Sequence, residues 1–582
     1  MNRNFLCIFF TINILVLMCG GADLVHSATF NVTTTQDNVP GSLRAAITAA
    51  NSNSENDTIY LPAGTYILSG AAGDDSNLTG DLDIDTTNTI AIIGDSPGTT
   101  IIDGNEVDRV LHILNGNASI TNVTFQNGKS VDANELGEDG GNGGGVYNNG
   151  TLSLKNCFII NNKTGIGGKC FNNTDGGSGG NGGGIYNSGT INLTDCTISN
   201  NITGYGGTKF DYHYRCQYGG GGSGGGIYNA GIQTLTNCTV SNNVTGDSGY
   251  EGADDDYGAN GGDGGGIFNS GTQTLTNCFV NFNTTGNAYY TIRSGYTVRG
   301  GIGGGICSVN GNTMISHCII SNNTTGNNND INDSSGISAH GGGICINGGE
   351  STISNCTISD NTTGGGGRFG GNGGGLYNNG TLTLSDSTVR DNITGRGSYC
   401  GSGGGIYNCS SLIVANSTIS HNTTASALDP GAGGRGGGIF NTSTLTLINC
   451  TVSSNGTGNG SSNDWSTIEG NGGDGGGICN SKKNADLNLT NCTICNNTTG
   501  SKGNDPNEFS RDGRGGGLYN VSGVIIIKNT ITANNQIAPE GEGPDCYGWF
   551  YSQGFNLIKN TNQCTISGDL TGNITGVDPL LG

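Results

Sequence analysis

Basic residues are scarce in this sequence. Lys and Arg number 22 against 45 Asp and Glu, a formal net charge of −23 over 582 residues. So acidic a chain excludes the partners that need a basic patch, nucleic acid and anionic membrane. Long apolar runs are missing after residue 18, so no later stretch spans a bilayer. Glycine is abundant at 112 residues, but no Gly-X-Y period runs through it, which excludes collagen. Zinc pairs of Cys-Xaa-Xaa-Cys are missing too. The single instance, Cys492 and Cys495, reads as the two faces of one strand. GGDGGGIFN at residues 261–269 is not the calcium-binding nonapeptide, because Asp263 comes too early. No metal and no other cofactor is expected. Nor does any unique pairing of carboxylates or histidines interrupt the pattern described next.

What fills the chain is one phrase, clearest at residues 182–204 as GGGIYNSGTINLTDCTISNNITG. It recurs eleven times, starting at Gly143, Gly182, Gly224, Gly264, Gly303, Gly341, Gly373, Gly403, Gly436, Gly475 and Gly515, at intervals of 30 to 42 residues. A fixed period of this size means a stacked array. Each phrase holds three short strands separated by Asn-Gly, Ser-Gly or Thr-Asn turns, closed by a glycine-rich loop. Alternation sends Leu152, Leu154, Cys157 and Ile159 inward. Three strands and three turns make one coil of a parallel β-helix. Eleven coils at about 4.8 Å give a rod of about 50 Å. The short runs, the Thr and Asn content and the repeated glycines rule out helices.

In-register stacking makes ladders. Asn148, Asn187, Asn229, Asn269, Asn378, Asn408, Asn441, Asn480 and Asn520 are expected to stack at one corner, amide on amide. Cys157, Cys196, Cys238, Cys278, Cys318, Cys356, Cys450 and Cys492 share another position, with Ser387, Ser417 and Asn529 in the remaining coils. They read as an inward ladder of free thiols, since Ser replaces Cys without compensation. Cys546 with Cys564, and Cys170 with Cys216, are the disulfide candidates of an exported chain.

The chain divides into four stretches. Residues 1–27 read as an export signal, with Arg3 before an apolar run over residues 5–18. Residues 28–142 hold a cap and irregular coils. There residues 41–53 form a helix, capped by Ser42, with Leu43, Ala46, Ile47 and Ala50 on one face. Residues 143–535 carry the regular repeats, and residues 536–582 the terminal coil.

The phrase resembles the GGAI and FxxN repeats of polymorphic outer membrane proteins and related adhesin-like proteins. GGGIYN corresponds to the first element and CTISNN to the second. GSLRAAITAAN at residues 41–51 is similar to the CSLREA-type segment of exported β-helix proteins, with Gly41 in place of Cys and Ala45 in place of Glu. Residues 554–558 and 578–582 resemble the GxNLI and DPLLG segments of choice-of-anchor Q proteins. The resemblance implies an all-β, right-handed parallel β-helix of the pectin-lyase-like kind, exported to the cell surface or the medium. The usual crossover preference agrees on the hand. Proteins of this kind continue past DPLLG into an anchor. Release, non-covalent attachment and a longer parent chain therefore all remain open at Gly582.

Function is expected in what interrupts the phrase. The insertions at residues 205–223, 247–263 and 287–302 bring Tyr205, Tyr212, Tyr214, Tyr218, Tyr250, Tyr257, Tyr289, Tyr290 and Tyr296. Clustered aromatics suit glycan or protein partners. The leading expectation is therefore a non-enzymatic, adhesin-like scaffold with contact loops. The alternative is a polysaccharide lyase or hydrolase of pectate-lyase type, with Asp254, Asp255 and Asp256, or Arg390 beside Asp391, as its acidic and basic groups. A third reading is ice binding through outward hydroxyls such as Thr197/Ser199, Thr239/Ser241, Thr357/Ser359 and Thr418/Ser420.

Overall fold

The structure is a computed structural model. It describes residues 27–172, 174–210, 216–250, 257–289, 298–328, 339–366, 368–428, 430–462, 470–504 and 510–581. Nearly all of the signal segment expected at residues 1–27 lies outside these. No helix among the described residues is long and apolar enough to cross a membrane.

Each phrase forms one coil of three strands. In the clearest copy these are Ile185–Asn187, Thr190–Thr194 and Thr197–Ser199. Each strand pairs in parallel with its equivalent one coil on, Ile185 with Ile227, Leu193 with Leu235 and Ile198 with Val240. The first and second strands of all coils merge into one 28-stranded sheet, and the third strands form a 16-stranded sheet. The fold is a right-handed parallel β-helix. Its core is the inward column of each face; Leu152, Leu154, Cys157 and Ile159 are fully buried.

Glycine is required where the loop turns into the first strand. Gly182 has φ +70°, and a Cβ there would meet the carbonyl oxygen of Ile185 at 2.4 Å. Elsewhere in the loops the need is close approach. A Cβ on Gly204 would come within 1.8 Å of the Gly165 oxygen in the preceding coil. Loops of successive coils thus stack backbone on backbone, which only glycine permits.

Two asparagine ladders hold the corners. In the first, Asn148 donates to Asn187, Asn187 to Asn229 and Asn229 to Asn269, each at 2.7 Å. The second is fully buried and comes from the Asn-Asn-Xaa-Thr-Gly turn. Asn162, Asn201, Asn243, Asn283, Asn323 and Asn361 each donate through Nδ2 to the next Oδ1 at 2.9–3.0 Å. It continues to Asn535, which donates to Asp545 at 2.9 Å. The sequence reading gave this turn no ladder of its own.

The eight cysteines of the repeat are free and buried, and the Sγ of Cys196 donates to the Thr194 carbonyl at 3.2 Å. Asn529 is not their equivalent. The turn at residues 521–523 is one residue longer than the two-residue turn of most coils, so Thr530 fills the position, 1% exposed, and Asn529 sits on the outer corner. Disulfides join Cys170 to Cys216 and Cys546 to Cys564.

The N-terminal helix, Leu43–Asn51, is capped by Ser42, whose Oγ accepts from the Ala45 N–H at 3.1 Å. Its buried face contains Leu43, Ala46, Ile47 and Ala50, and also Arg44. Arg44 pairs with Asp37 at 2.9 Å and donates to the carbonyls of Gly80 and Asp81. That contact fixes the loop described next.

Candidate functional site

The first two long strands, Leu82–Gly94 and Leu111–Thr121, precede the regular phrase. Register places Asp83 beside His112, and His112 beside Tyr147. In later coils the same outward position carries a stacked aromatic column. Tyr147, Tyr186, Tyr228 and Phe268 lie ring on ring with centroids 4.8–5.0 Å apart. At its N-terminal end, therefore, the column changes from aromatic to ionisable.

The loop over residues 69–81 folds against this end and adds more acid. Asn77 clamps it by donating its backbone N–H to Asp83 Oδ2 at 2.9 Å and accepting from the Asp83 N–H at 3.1 Å. Asp74 accepts from the N–H groups of Ser76, Leu78 and Thr79. Gly73 donates to Asp108 at 2.7 Å. Five aspartates, Asp74, Asp75, Asp81, Asp83 and Asp108, thereby gather around Arg109 and His112.

Arg109 Nε lies 3.4 Å from Asp81 and 3.9 Å from Asp108, with its guanidinium 5.3 Å from the Tyr147 ring centre. His112 Nδ1 lies 3.3 Å from Asp75 Oδ1, 3.6 Å from Asp83 Oδ1 and 3.4 Å from Arg109 Nη1. Its ring meets Tyr147 edge-on at 4.9 Å. Burial, reinforced by Asp108, pushes the Asp81 carboxyl up to about 8. Burial pushes Asp83 up to about 7, and burial with the nearby Arg109 charge pulls His112 down to about 4. Asp83 Oδ1, Arg109 Nε and His112 Nε2 are buried without a hydrogen-bond partner. Part of this network is structural, since it pins the loop and the helix to the first coils. The unpartnered atoms are not explained that way.

No constellation of acids or histidine is expected to interrupt the repeat, and the one the structure forms lies ahead of it, in the irregular coils. Asp75, Asp83 and His112 are brought within 4.8 Å of one another by a loop and by strand register, and neither leaves a fixed spacing in the sequence.

The tyrosines of the insertions separate into groups. Tyr205 and Tyr250 are 53% and 48% exposed, and Tyr250 stacks on Tyr289 at 4.9 Å. Tyr257 is partly covered. Tyr218 is not a contact residue: it is 1% exposed, packed with Cys170, Cys216 and Ala259, because the Cys170–Cys216 disulfide draws its segment onto the rod. Tyr212, Tyr214, Tyr290 and Tyr296 lie outside the described residues. The reading missed a neighbouring aromatic, Phe210, which is 62% exposed and edge-on to Phe171 at 5.7 Å. With Leu136, Ile166 and Lys169 it lines an open cleft of about 550 Å³. The signal was available as apolar residues standing alone in polar loops.

Of the groups named for a lyase, only Arg390 and Asp391 fall among the described residues. Asp254, Asp255 and Asp256 lie outside the described residues. Arg390 and Asp391 pair with each other at 2.5 Å on the surface. In the hydroxyl array Ser199, Ser241, Ser359 and Ser420 are 2–9% exposed, while Thr197, Thr239, Thr357 and Thr418 are partly exposed.

No protein-family model and no curated relative matches the chain. Among solved structures it is similar to the A-module of mannuronan C-5 epimerase AlgE6 from Azotobacter vinelandii, at 12% identity over 94% of this chain and 100% of that one, TM-score 0.24. It is also similar to pectin methylesterase PemA from Erwinia chrysanthemi, at 10% identity over 63% and 90%, TM-score 0.25. A mannuronic acid-specific polysaccharide family 6 lyase from human gut microbiota is 11% identical over 79% and 86%, TM-score 0.26. The likeness is one of fold.

Proposed function

We propose that this protein engages a long polysaccharide laid along its rod, and that the cluster around Arg109 is where the bound chain is processed. One observation carries the reading. At the N-terminal end of the stacked column the aromatic position becomes Asp83 and His112, flanked by Asp81, Asp108 and an Arg109 whose Nε, 3.4 Å from Asp81, makes no hydrogen bond. A guanidinium with unused donors suits a sugar carboxylate. Two carboxyl groups beside it, Asp81 and Asp108, supply the acid and base groups that cleavage of a glycan requires. The repeat needs none of these residues for its own packing, and Arg44, Asn77 and Asp74 also tie down the loop over residues 69–81.

A second reading is a scaffold that holds glycan without altering it, as the adhesin-like expectation has it. The exposed Tyr205, Phe210 and Tyr250 favour it, being aromatic faces on one side of the rod. One experiment separates the two. The purified chain is incubated with uronate-rich polymers and neutral glucans, following new reducing ends and unsaturated products, with binding measured in parallel by affinity electrophoresis. Turnover lost in Arg109→Gln supports processing. Binding without turnover, weakened by Tyr205→Ala and Tyr250→Ala, supports holding. Neither binding nor turnover on any polymer overturns both.

A further inference from the structure

We propose that Asp75, Asp83 and His112 form a binding site for one first-row divalent transition-metal ion, with zinc as the probe. No motif in the sequence signals a metal; the inference comes from the placement of three atoms. His112 Nδ1 lies 3.3 Å from Asp75 Oδ1 and 3.6 Å from Asp83 Oδ1. Two ligands each about 2.1 Å from a common ion at a tetrahedral angle stand about 3.4 Å apart. Both distances from the histidine have that spacing, and all three donor atoms lie within 4.8 Å of one another.

Asp83 gives the independent pointer. Its side chain is 1% exposed, yet Oδ1 has no hydrogen-bond partner and is directed at the histidine. A buried carboxylate oxygen in that state lacks a cation or a donor. The histidine alone does not supply one, because a proton on Nδ1 goes to the nearer Asp75. Arg109 does not supply one either: its Nε approaches Asp81 and Asp108, and its Nη1 approaches His112 Nδ1 at 3.4 Å. Metal entry therefore turns the guanidinium further towards Asp81 and Asp108.

The frame is rigid where it needs to be. Asp83 and His112 are register partners on paired strands. The loop that carries Asp75 is clamped by Asn77 and by the turn that Asp74 accepts. Asp75 is 67% exposed and provides the way in from solvent. An imidazole with two carboxylates suits zinc, cobalt or manganese, whereas calcium and magnesium prefer oxygen alone. Water fills the remaining positions. The site stands whether or not a glycan is processed.

The test is titration of the metal-stripped full chain with Zn²⁺ by calorimetry, in a buffer that does not chelate. One equivalent is expected, with at least tenfold weaker binding in Asp75→Asn and in His112→Gln, and at least tenfold weaker binding of Ca²⁺ to the unaltered protein. Asp75 is exposed, so Asp75→Asn keeps the test valid if a change at the buried positions prevents folding. Co²⁺ should give d–d absorption of a nitrogen–oxygen site. Three results would overturn the proposal: no saturable binding, unchanged affinity in Asp75→Asn, or thiolate charge-transfer absorption placing Co²⁺ on cysteine.

Discussion

Replacing Asn283 by Ala tests how far the inner asparagine ladder holds the rod together. Asn283 Nδ2 donates to the Val240 carbonyl at 2.9 Å and to Asn323 Oδ1 at 3.0 Å, and its Oδ1 accepts from both the backbone N–H and Nδ2 of Asn243 at 3.0 Å. Alanine removes all four bonds. Asn243 Nδ2 keeps its bond to Ile198, and Asn323 Oδ1 keeps the backbone N–H of residue 283. The Asn243 N–H and the Val240 carbonyl lose their side-chain partner in a buried place. Each such loss costs about 1–3 kcal/mol, so the change should destabilise this region by about 2–6 kcal/mol. Asn379→Ala removes the same kind of amide bond, Asn379 to Asn347 at 2.9 Å, at an exposed site; it should cost about 0.5 kcal/mol or less. A stacked array does not unfold in one step, so a single midpoint is the wrong readout. Amide exchange resolved by coil is the right one. Protection at residues 240–243 and 280–283 should fall by about 30-fold or more, since 1.4 kcal/mol is tenfold. Protection near Ile494 should not change. Equal effects of the two substitutions would refute the claim that the buried ladder is a main support.

Three further outcomes follow from particular residues. His340 accepts from the Asn372 N–H through Nδ1 at 3.1 Å and stacks on Tyr377 at 4.7 Å, and burial with the Arg299 charge pulls its pKa down to about 4. The folded chain thus binds fewer protons than the unfolded one between about 6.5 and 4, and this contribution is lost as pH falls through that window. Amide protection in the coils around His340 and Asn372 should drop on acidification from pH 6.5 to 4, and less so in His340→Asn; equal slopes would refute it. Fourteen free cysteines are found among the described residues, and all but Cys409 are buried. In the chain without residues 1–27, a thiol reagent should therefore label about one group when folded and about fourteen after unfolding without reductant. Tyr205→Ala with Tyr250→Ala should weaken glycan binding by about 1 kcal/mol or more, measured by affinity electrophoresis, and leave amide protection of the coils unchanged, because neither residue is part of the buried core.

The coil was legible because its physics repeats. Leu152, Leu154, Cys157 and Ile159 alternate inward, and so do their equivalents every 30 to 42 residues. The outer asparagine corner could be read for the same reason. The buried ladder through Asn162 and Asn201 was equally regular in sequence, but an Asn-Asn-Xaa-Thr-Gly turn looks like solvated loop until stacking encloses it. Asn529 was misplaced because one extra residue in the turn at 521–523 shifts the count, which periodicity cannot reveal. Tyr205 and Tyr218 look alike in sequence; a disulfide decides which is buried. The cluster at Asp75, Asp83, Arg109 and His112 was invisible because it lies where the period has not begun. Loop closure and cross-strand register bring it together there.

On the proposed function, chemistry belongs to the N-terminal end of the column and not to the repeat. The decisive measurement is turnover of uronate-rich polysaccharide by the intact protein beside Arg109→Gln, with folding of the variant checked by amide exchange. Chain cleavage is expected of the intact protein, with a loss of about 100-fold or more in a variant whose coils remain protected. Turnover equal in the two proteins would contradict it, as would the absence of any turnover by the intact protein on every polymer it binds.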